Sequence, residues 1–127
     1  MKKDYIPDRN DIIWIDLEPV KANEVGKYRP ALVLSGKKTN NEINQLICCP
    51  ISTSVRGHAM EVPVHNLDRP SVVIPNVIRT VAWKARNIKF IAKAENGVME
   101  AVLFRIIPLI GADKILEKSL ELSAANH

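Results

Sequence analysis

Cysteine is scarce in this sequence, and long apolar runs are missing. The two cysteines, Cys48 and Cys49, are adjacent. In a strand they would point to opposite faces, and they do not form a C-x-x-C pair. We therefore expect reduced core thiols in a cytosolic protein. The longest apolar runs, such as 12–15, are far too short to span a bilayer, and no apolar segment follows the N-terminal lysines. We expect a cytoplasmic protein with no secretory signal and no membrane partner.

Motifs for metal or nucleotide binding are also missing. The sequence contains no H-x-x-x-H, no D-x-D and no Cys/His constellation, so it predicts neither a metal site nor another cofactor. The pair Gly26-Lys27 lacks the upstream glycine and the following Ser or Thr of a Walker loop. Metal-dependent hydrolysis is therefore poorly supported.

The length and the charge distribution favour one basic domain. The chain has 127 residues, 46% of them hydrophobic and 25% charged, which suits a single globular domain over residues 1–127. The net charge of +4 is unevenly placed. The stretch 75–94 contains no acidic residue and five basic ones: Arg79, Lys84, Arg86, Lys89 and Lys93. Such segregation favours a polyanionic partner.

Short segments typical of β-strands recur along the chain, separated by turn residues. They lie at 12–17, 31–35, 45–51, 60–64, 71–74, 77–83 and 89–94. So many short strands in so small a chain predict a mainly β fold, a partly open barrel rather than a flat sheet.

After Asn96-Gly97 the apolar period changes to that of an amphipathic helix, with Met99, Val102, Leu103 and Ile106 at i, i+3, i+4 and i+7. Pro108 and Gly111 are expected to end or kink this helix. Asp113 is expected to cap a second helix with an apolar side formed by Ile115, Leu116 and Leu120. We interpret both apolar stripes as core packing.

Two loops carry polar and charged residues. The first, 18–29, is long for a strand connection, and loops of that length are more often functional than filler. Its charged residues after Glu18 are Lys21, Glu24, Lys27 and Arg29. The second, 52–58, follows a hydrophobic strand and reads Ser-Thr-Ser-Val-Arg-Gly-His. Hydroxyl groups, arginine and backbone N–H groups are what phosphate recognition uses. A solvated turn is the alternative interpretation of the second loop.

RNA supplies its own nucleophile, the 2′-OH, so its cleavage needs only an acid, a base and donors for the phosphate oxygens. A two-histidine mechanism is disfavoured, because His58 and His65 would lie about 23 Å apart along an extended strand, and His127 is terminal. The remaining candidates are an arginine, a carboxylate and hydroxyl groups in the two loops.

Several stretches resemble MazF/PemK-type toxins, the endoribonucleases of toxin–antitoxin pairs. The resemblance covers about residues 5–111, leaving 112–127 as a C-terminal helical extension. It rests on Tyr5-Ile6-Pro7-Asp8, Asp11-Ile12-Ile13-Trp14-Ile15-Asp16, Gly26-Lys27-Tyr28-Arg29-Pro30-Ala31-Leu32-Val33-Leu34-Ser35, Cys49-Pro50-Ile51-Ser52-Thr53-Ser54 and Ile78-Arg79-Thr80-Val81-Ala82-Trp83-Lys84-Ala85-Arg86.

The resemblance implies an SH3-like barrel, a homodimer and metal-independent, sequence-specific cleavage of single-stranded mRNA, which leaves a 2′,3′-cyclic phosphate and a 5′-OH. It also implies a cognate antitoxin whose acidic, disordered tail covers the site. Two other readings stay open: a non-enzymatic toxin of similar fold that binds a protein such as gyrase, and a relative that binds RNA without cutting it.

The resemblance also implies site residues. Arg29 of the Arg-Pro motif is expected to be catalytic, together with a hydroxyl at Ser52, where relatives carry threonine; Thr53 is the alternative position for that hydroxyl. Among the loop candidates, Glu24 is the carboxylate that we expect to be catalytic. The expected substrate-binding residues are Lys27, Thr53, Ser54, Arg56, His58, Asn76, Arg79 and Arg86. Asn76-Val77 departs from the acidic-Gln pair of many relatives. Trp14 and Trp83 are expected in the core or at the dimer interface rather than as base-stacking platforms.

Overall fold

The structure, a computed structural model, describes residues 4–17 and 28–126. In this part of the chain, seven strands precede two C-terminal helices, and a short helix follows the second strand. The elements are β1 (Asp11–Asp16), β2 (Tyr28–Val33), α1 (Lys37–Ile43), β3 (Leu46–Ser52), β4 (Val62–Val64), β5 (Ser71–Val73), β6 (Arg79–Val81), a 3₁₀ turn (Trp83–Ala85), β7 (Lys89–Lys93), α2 (Val98–Leu109) and α3 (Ala112–Ala125).

The strands form one antiparallel sheet in the order β4-β5-β3-β2-β1-β7, with β6 paired to β3 beside this path. Strand β3 is central. One of its edges pairs with β2, and the other pairs first with β6 at 46–48 and then with β5 at 51–52. The prediction of a mainly β fold with C-terminal helices is confirmed.

Side chains that alternate along the strands build two hydrophobic clusters, one on each face of the sheet. One cluster joins Ile12, Leu32 and Cys49 to the buried side of α2. The other joins Ile13 and Cys48 to further residues of the opposite face, including Trp83. The adjacent cysteines therefore point to opposite faces, as predicted. Both are buried free thiols, and burial raises the pKa of each to about 12.

Helix α1 was not predicted, because a polar network rather than an apolar stripe holds it. Its one buried residue is Asn40. The Asn40 amide donates to the carbonyls of Pro7 at 2.8 Å and Ser35 at 3.0 Å, and its Oδ1 accepts the Ser35 hydroxyl at 2.6 Å. The Trp83 indole donates to the Asn40 carbonyl at 3.0 Å, so Trp83 is a core residue. Periodicity searches miss such a helix, since they detect apolar residues only.

Two predicted strands are shorter in the structure. The segment 60–64 is a strand only over Val62–Val64, because the Glu61 N–H donates to the His58 carbonyl at 3.0 Å and closes a turn. The segment 77–83 is a strand only over Arg79–Val81, and the 3₁₀ turn follows.

The two C-terminal helices differ in burial. The stripe of α2 packs into the core through Met99, Val102 and Ile106, as predicted. Leu103, the fourth member of the predicted stripe, is 37% exposed, so the expected core packing is wrong at this position. Pro108 lies inside the last turn of α2 and does not end it before Leu109. Because the helix ends one residue later, the missing N–H of Pro108 removes only one hydrogen bond, in the last turn.

Helix α3 corrects two predictions. Gly111, with φ of 75°, precedes its first residue, so Asp113 lies in the first turn and is not the N-cap. Its apolar side is exposed, with 67% of Ile115, 52% of Leu116 and 71% of Leu120 accessible, so the expected core packing is wrong here. Across residues 4–17 and 28–126, none of the helices is long and apolar enough to cross a membrane.

Candidate functional site

A cleft of about 880 Å³ opens where β2 begins and β3 ends. Its walls come from these strands, from the loop 52–61, from the segment before β6 and from the end of α2. Seven of the predicted site residues line it: Arg29, Ser52, Ser54, Arg56, His58, Asn76 and Arg79. The structure thus brings together residues from segments that are far apart in the sequence.

A change of strand partner explains where the cleft lies. The β2–β3 pairing ends at Ala31 and Pro50. The next hydrogen-bonded pair in this register would join Pro30 to Ile51, and proline has no N–H to donate. Beyond this point β3 continues in contact with β5, through the pairs Ile51–Val73 and Ser52–Val72. Strands β2 and β3 therefore stop pairing at Pro30, which leaves space between Arg29 and Ser52.

Within the described residues, Arg29 is held by the sheet and not by an ion pair. It is paired with Ile15 of β1 and precedes Pro30, which favours an extended backbone. Two ion pairs occur among the described residues, His65–Glu95 and Lys93–Asp11, and neither includes Arg29. The side chain is exposed at the cleft, where a guanidinium can grip a phosphate with two parallel hydrogen bonds.

The Ser52 hydroxyl is oriented by its own loop. Its Oγ accepts the Ser54 N–H at 3.0 Å, and this turn leaves the hydroxyl hydrogen free to donate. Thr53 does not line the cleft. Its backbone carbonyl accepts the Val55 N–H at 3.1 Å. Ser52 and Thr53 are therefore placed differently relative to the cleft.

Arg79 and Arg86 both reach the end of β1. Arg79 donates to the Leu17 carbonyl at 3.0 Å, and Arg86 donates to the Asp16 carbonyl at 2.9 Å. Arg79 also lines the cleft, whereas Arg86 does not. These two predicted substrate-binding residues thus hold the end of β1, and Arg79 in addition lines the cleft.

Sequence reasoning missed Glu61, which lines the same cleft. Its carboxylate accepts the backbone N–H of Arg56 at 3.1 and 3.2 Å and that of Gly57 at 2.9 Å. No motif marks this residue. The only signal is a carboxylate a few positions after a loop glycine, a pattern too common to single out.

The other residues singled out in the sequence either do not line the cleft or fall outside the described residues. His65 is hydrogen-bonded to Glu95 through both its backbone N–H and its ring. Trp14 is 37% exposed and stacks on Tyr28 with ring centroids 5.4 Å apart. Glu24, Lys27 and Lys21, as well as His127, lie outside the described residues. Over 4–17 and 28–126, no three His, Cys, Asp or Glu side chains are grouped to hold a metal ion.

The fold and the cleft define a small β half-barrel with a hydroxyl-bearing, arginine-rich surface suited to phosphate. Residues 8–110 match the family of PemK-like, MazF-like toxins of type II toxin-antitoxin systems. The chain belongs to this family, as the resemblance of its motifs predicts.

Individual relatives agree with this assignment. The chain is 32% identical over 107 residues to the endoribonuclease toxin MazF of Escherichia coli K12, covering 84% of this chain and 96% of that protein. It is 34% identical over 92 residues to endoribonuclease MazF3 of Mycobacterium tuberculosis, covering 68% and 89%. A crystal structure of MazE-MazF from Deinococcus radiodurans superposes with a TM-score of 0.78 at 30% identity, covering 85% of this chain and 98% of the other.

Proposed function

We propose that this protein is a metal-independent, sequence-specific endoribonuclease that cuts single-stranded mRNA and acts as the toxin of a toxin–antitoxin pair in the cytoplasm. One observation carries the proposal: Arg29 and the Ser52 hydroxyl, from strands that stop pairing at Pro30, line one cleft with further arginines. The relatives named as endoribonucleases support the same activity.

The proposed reaction is an internal transesterification. The 2′ oxygen attacks the adjacent phosphorus, the bond from phosphorus to the 5′ oxygen breaks, and a 2′,3′-cyclic phosphate and a 5′-OH result. Arg29 stabilises the charge that grows on the phosphate oxygens, and the Ser52 hydroxyl donates a hydrogen bond to one of them. We assign the removal of the 2′-OH proton to Glu24, which precedes Arg29 by five positions in the sequence. The 5′ oxygen takes up a proton as it leaves.

The other cleft residues bind the RNA. Arg56 and Arg79 supply positive charge to neighbouring phosphates, and Ser54, His58 and Asn76 supply polar groups for phosphate or base. Thr53 and Arg86 contribute at the margin, since neither lines the cleft. Lys27, the residue that precedes β2 in the sequence, adds charge. The basic stretch 75–94 extends this surface for a polyanion.

Two protein partners belong to the proposal. Solved structures of MazE-MazF from Deinococcus radiodurans are similar to this chain, and we propose a cognate antitoxin whose acidic, disordered tail covers the basic cleft. We also propose that the toxin is a homodimer. An acidic tail suits the cleft because it presents to the arginines the same charge as RNA.

The test is cleavage of a long single-stranded RNA by purified protein in excess EDTA, with both new ends mapped. We expect recurrent cuts at one short sequence, with cyclic phosphate and 5′-OH ends. The Arg29→Ala variant, purified identically, is the control for contaminating nucleases. Activity that vanishes in EDTA and returns with Mg²⁺ would contradict the proposal, as would tight capture of a protein target without any RNA cleavage.

A further inference from the structure

The loop between β3 and β4 brings its side chains to the cleft without regular secondary structure. Strand β3 ends at Ser52 and β4 begins at Val62. In between, Ser54, Arg56 and His58 all line the cleft. An exposed loop of this length needs some internal contact to hold such side chains in one arrangement, because ordering each residue costs conformational entropy.

The carboxylate of Glu61 supplies that contact. It accepts the N–H groups of two successive residues, Arg56 at 3.1 and 3.2 Å and Gly57 at 2.9 Å. The backbone N–H of Glu61 donates in turn to the His58 carbonyl at 3.0 Å. Gly57 has φ of 78°, which allows the two N–H groups to converge on one anion. Such convergent amide pairs are anion-binding concavities, here filled from within the chain.

The position of Glu61 is otherwise unfavourable for an RNA-binding surface. A carboxylate in the cleft repels the phosphates that the arginines attract. Neither ion pair found in the described part of the chain includes Glu61, so backbone N–H groups are its observed partners. Charge-assisted hydrogen bonds of this kind are stronger than neutral ones. The contribution of Glu61 must therefore come from the loop that it holds.

We infer that Glu61 is a positioning residue for RNA binding, which holds the backbone of Arg56 and Gly57 so that Arg56 and His58 face the cleft. The inference rests on the proposed ribonuclease function and adds to it a residue that acts through the binding loop. Glu61 touches neither the reacting atoms nor, in this role, the RNA. Its loss should therefore weaken substrate binding and leave the chemical step at Arg29 and Ser52 intact.

The experiment compares Glu61→Ala and Glu61→Gln with Glu95→Ala in RNA cleavage and in thermal unfolding. Glu95 is the matched control, because its carboxylate also accepts a loop N–H, that of His65 at 2.5 Å, but lies outside the cleft. For Glu61→Ala we expect KM to rise roughly tenfold, the effect of losing a charge-assisted hydrogen bond, with kcat nearly unchanged. Glu61→Gln should fall in between, since its amide oxygen still accepts. Glu95→Ala should keep the wild-type KM.

Three outcomes would overturn the inference. A lower KM for Glu61→Ala would mean that the carboxylate only repels RNA. A loss of kcat of about 10² or more would make Glu61 a proton-transfer group instead. A KM equal to that of wild type would show that RNA binding by this loop does not depend on Glu61.

A second measurement separates this inference from the proposed function. If wild-type protein cuts no RNA, the proposed function fails, and binding of a labelled RNA oligonucleotide still reports whether Glu61→Ala weakens the contact. In the double variant Arg56→Ala/His58→Ala, a further Glu61→Ala change should add almost nothing, because Glu61 acts through these two side chains. Full additivity would contradict the inference.

Discussion

Arg29 of β2 and Ser52 of β3 line one cleft, and each lies two residues beyond the last β2–β3 pair, Ala31–Pro50. Ser52 is already paired with Val72 of β5. The hydrogen-bonded ladder has stopped by then, and both side chains line the cleft. An arginine and a hydroxyl that are distant in sequence are thereby brought to one cleft.

Arg29 should be needed for the chemical step. If its guanidinium stabilises charge in the transition state, Arg29→Ala should lower kcat by about 10²–10³. Arg29→Lys should recover little, because an ammonium does not reproduce the planar fork. Single-turnover cleavage beside thermal unfolding is the measurement. If the Tm of Arg29→Ala falls together with its cleavage rate, Arg29 has a structural role instead.

Ser52 and Thr53 should differ sharply. Ser52→Ala removes the hydroxyl that lines the cleft and should lower kcat by about 10² or more. Thr53→Ala should cost much less, because Thr53 lies outside the lining. Ser52→Thr should stay active, since it keeps the hydroxyl. Cleavage rates of the three folded variants check this; an active Ser52→Ala beside an inactive Thr53→Ala would move the catalytic hydroxyl by one residue.

The extension α3 should be dispensable for cleavage. None of its residues is buried, so a chain ending after Gly111 should fold and cut RNA at close to the full-length rate. Within the full-length chain, Ile106→Ala in the core should cost about 2–5 kcal/mol of unfolding free energy. Leu120→Ala, on the exposed side of α3, should cost almost none. A folded truncation that no longer cuts would place part of the site in α3.

The two buried thiols should make the fold sensitive to alkali. Their pKa values are raised from 9.0 to about 12 in the folded chain, so the unfolded chain loses these protons first as the pH rises. The contribution is intact below about pH 9 and is lost progressively towards pH 12. Between pH 8 and 10.5 the Tm of wild type should therefore fall more steeply than that of Cys49→Ala. Parallel curves would contradict the assignment.

Strands and the C-terminal helices follow from the sequence to different degrees. The short apolar run 12–15 indicates β1, and it is apolar at successive positions because each face of the sheet has its own core. Helix α1 escaped prediction since Asn40 and its hydrogen bonds replace an apolar stripe. The apolar stripe of α3 predicts core packing, yet Ile115 and Leu120 are exposed. Periodicity shows that one face of a helix is apolar but does not show what covers that face.

The candidate site, too, could be predicted only in part from the sequence. Arg29 and the hydroxyls at 52–54 stand out in the sequence, because an Arg-Pro pair and a cluster of hydroxyls are local patterns. Glu61 does not stand out, since its role depends on where the turn at Gly57 directs two backbone N–H groups. The anchoring of Arg86 to the Asp16 carbonyl spans 70 positions and leaves no local pattern.

The sequence by itself determined the β-rich class, the basic surface, the buried cysteines and the motifs of the family, because short apolar segments, turn residues, charge and short motifs are properties of neighbouring residues. Only the tertiary structure decided where the cleft opens, that Ser52 rather than Thr53 lines it, and that Glu61 holds the loop beside them. Those outcomes depend on strand register, on the missing N–H of Pro30 and on hydrogen bonds between distant segments, which act through space and not along the chain.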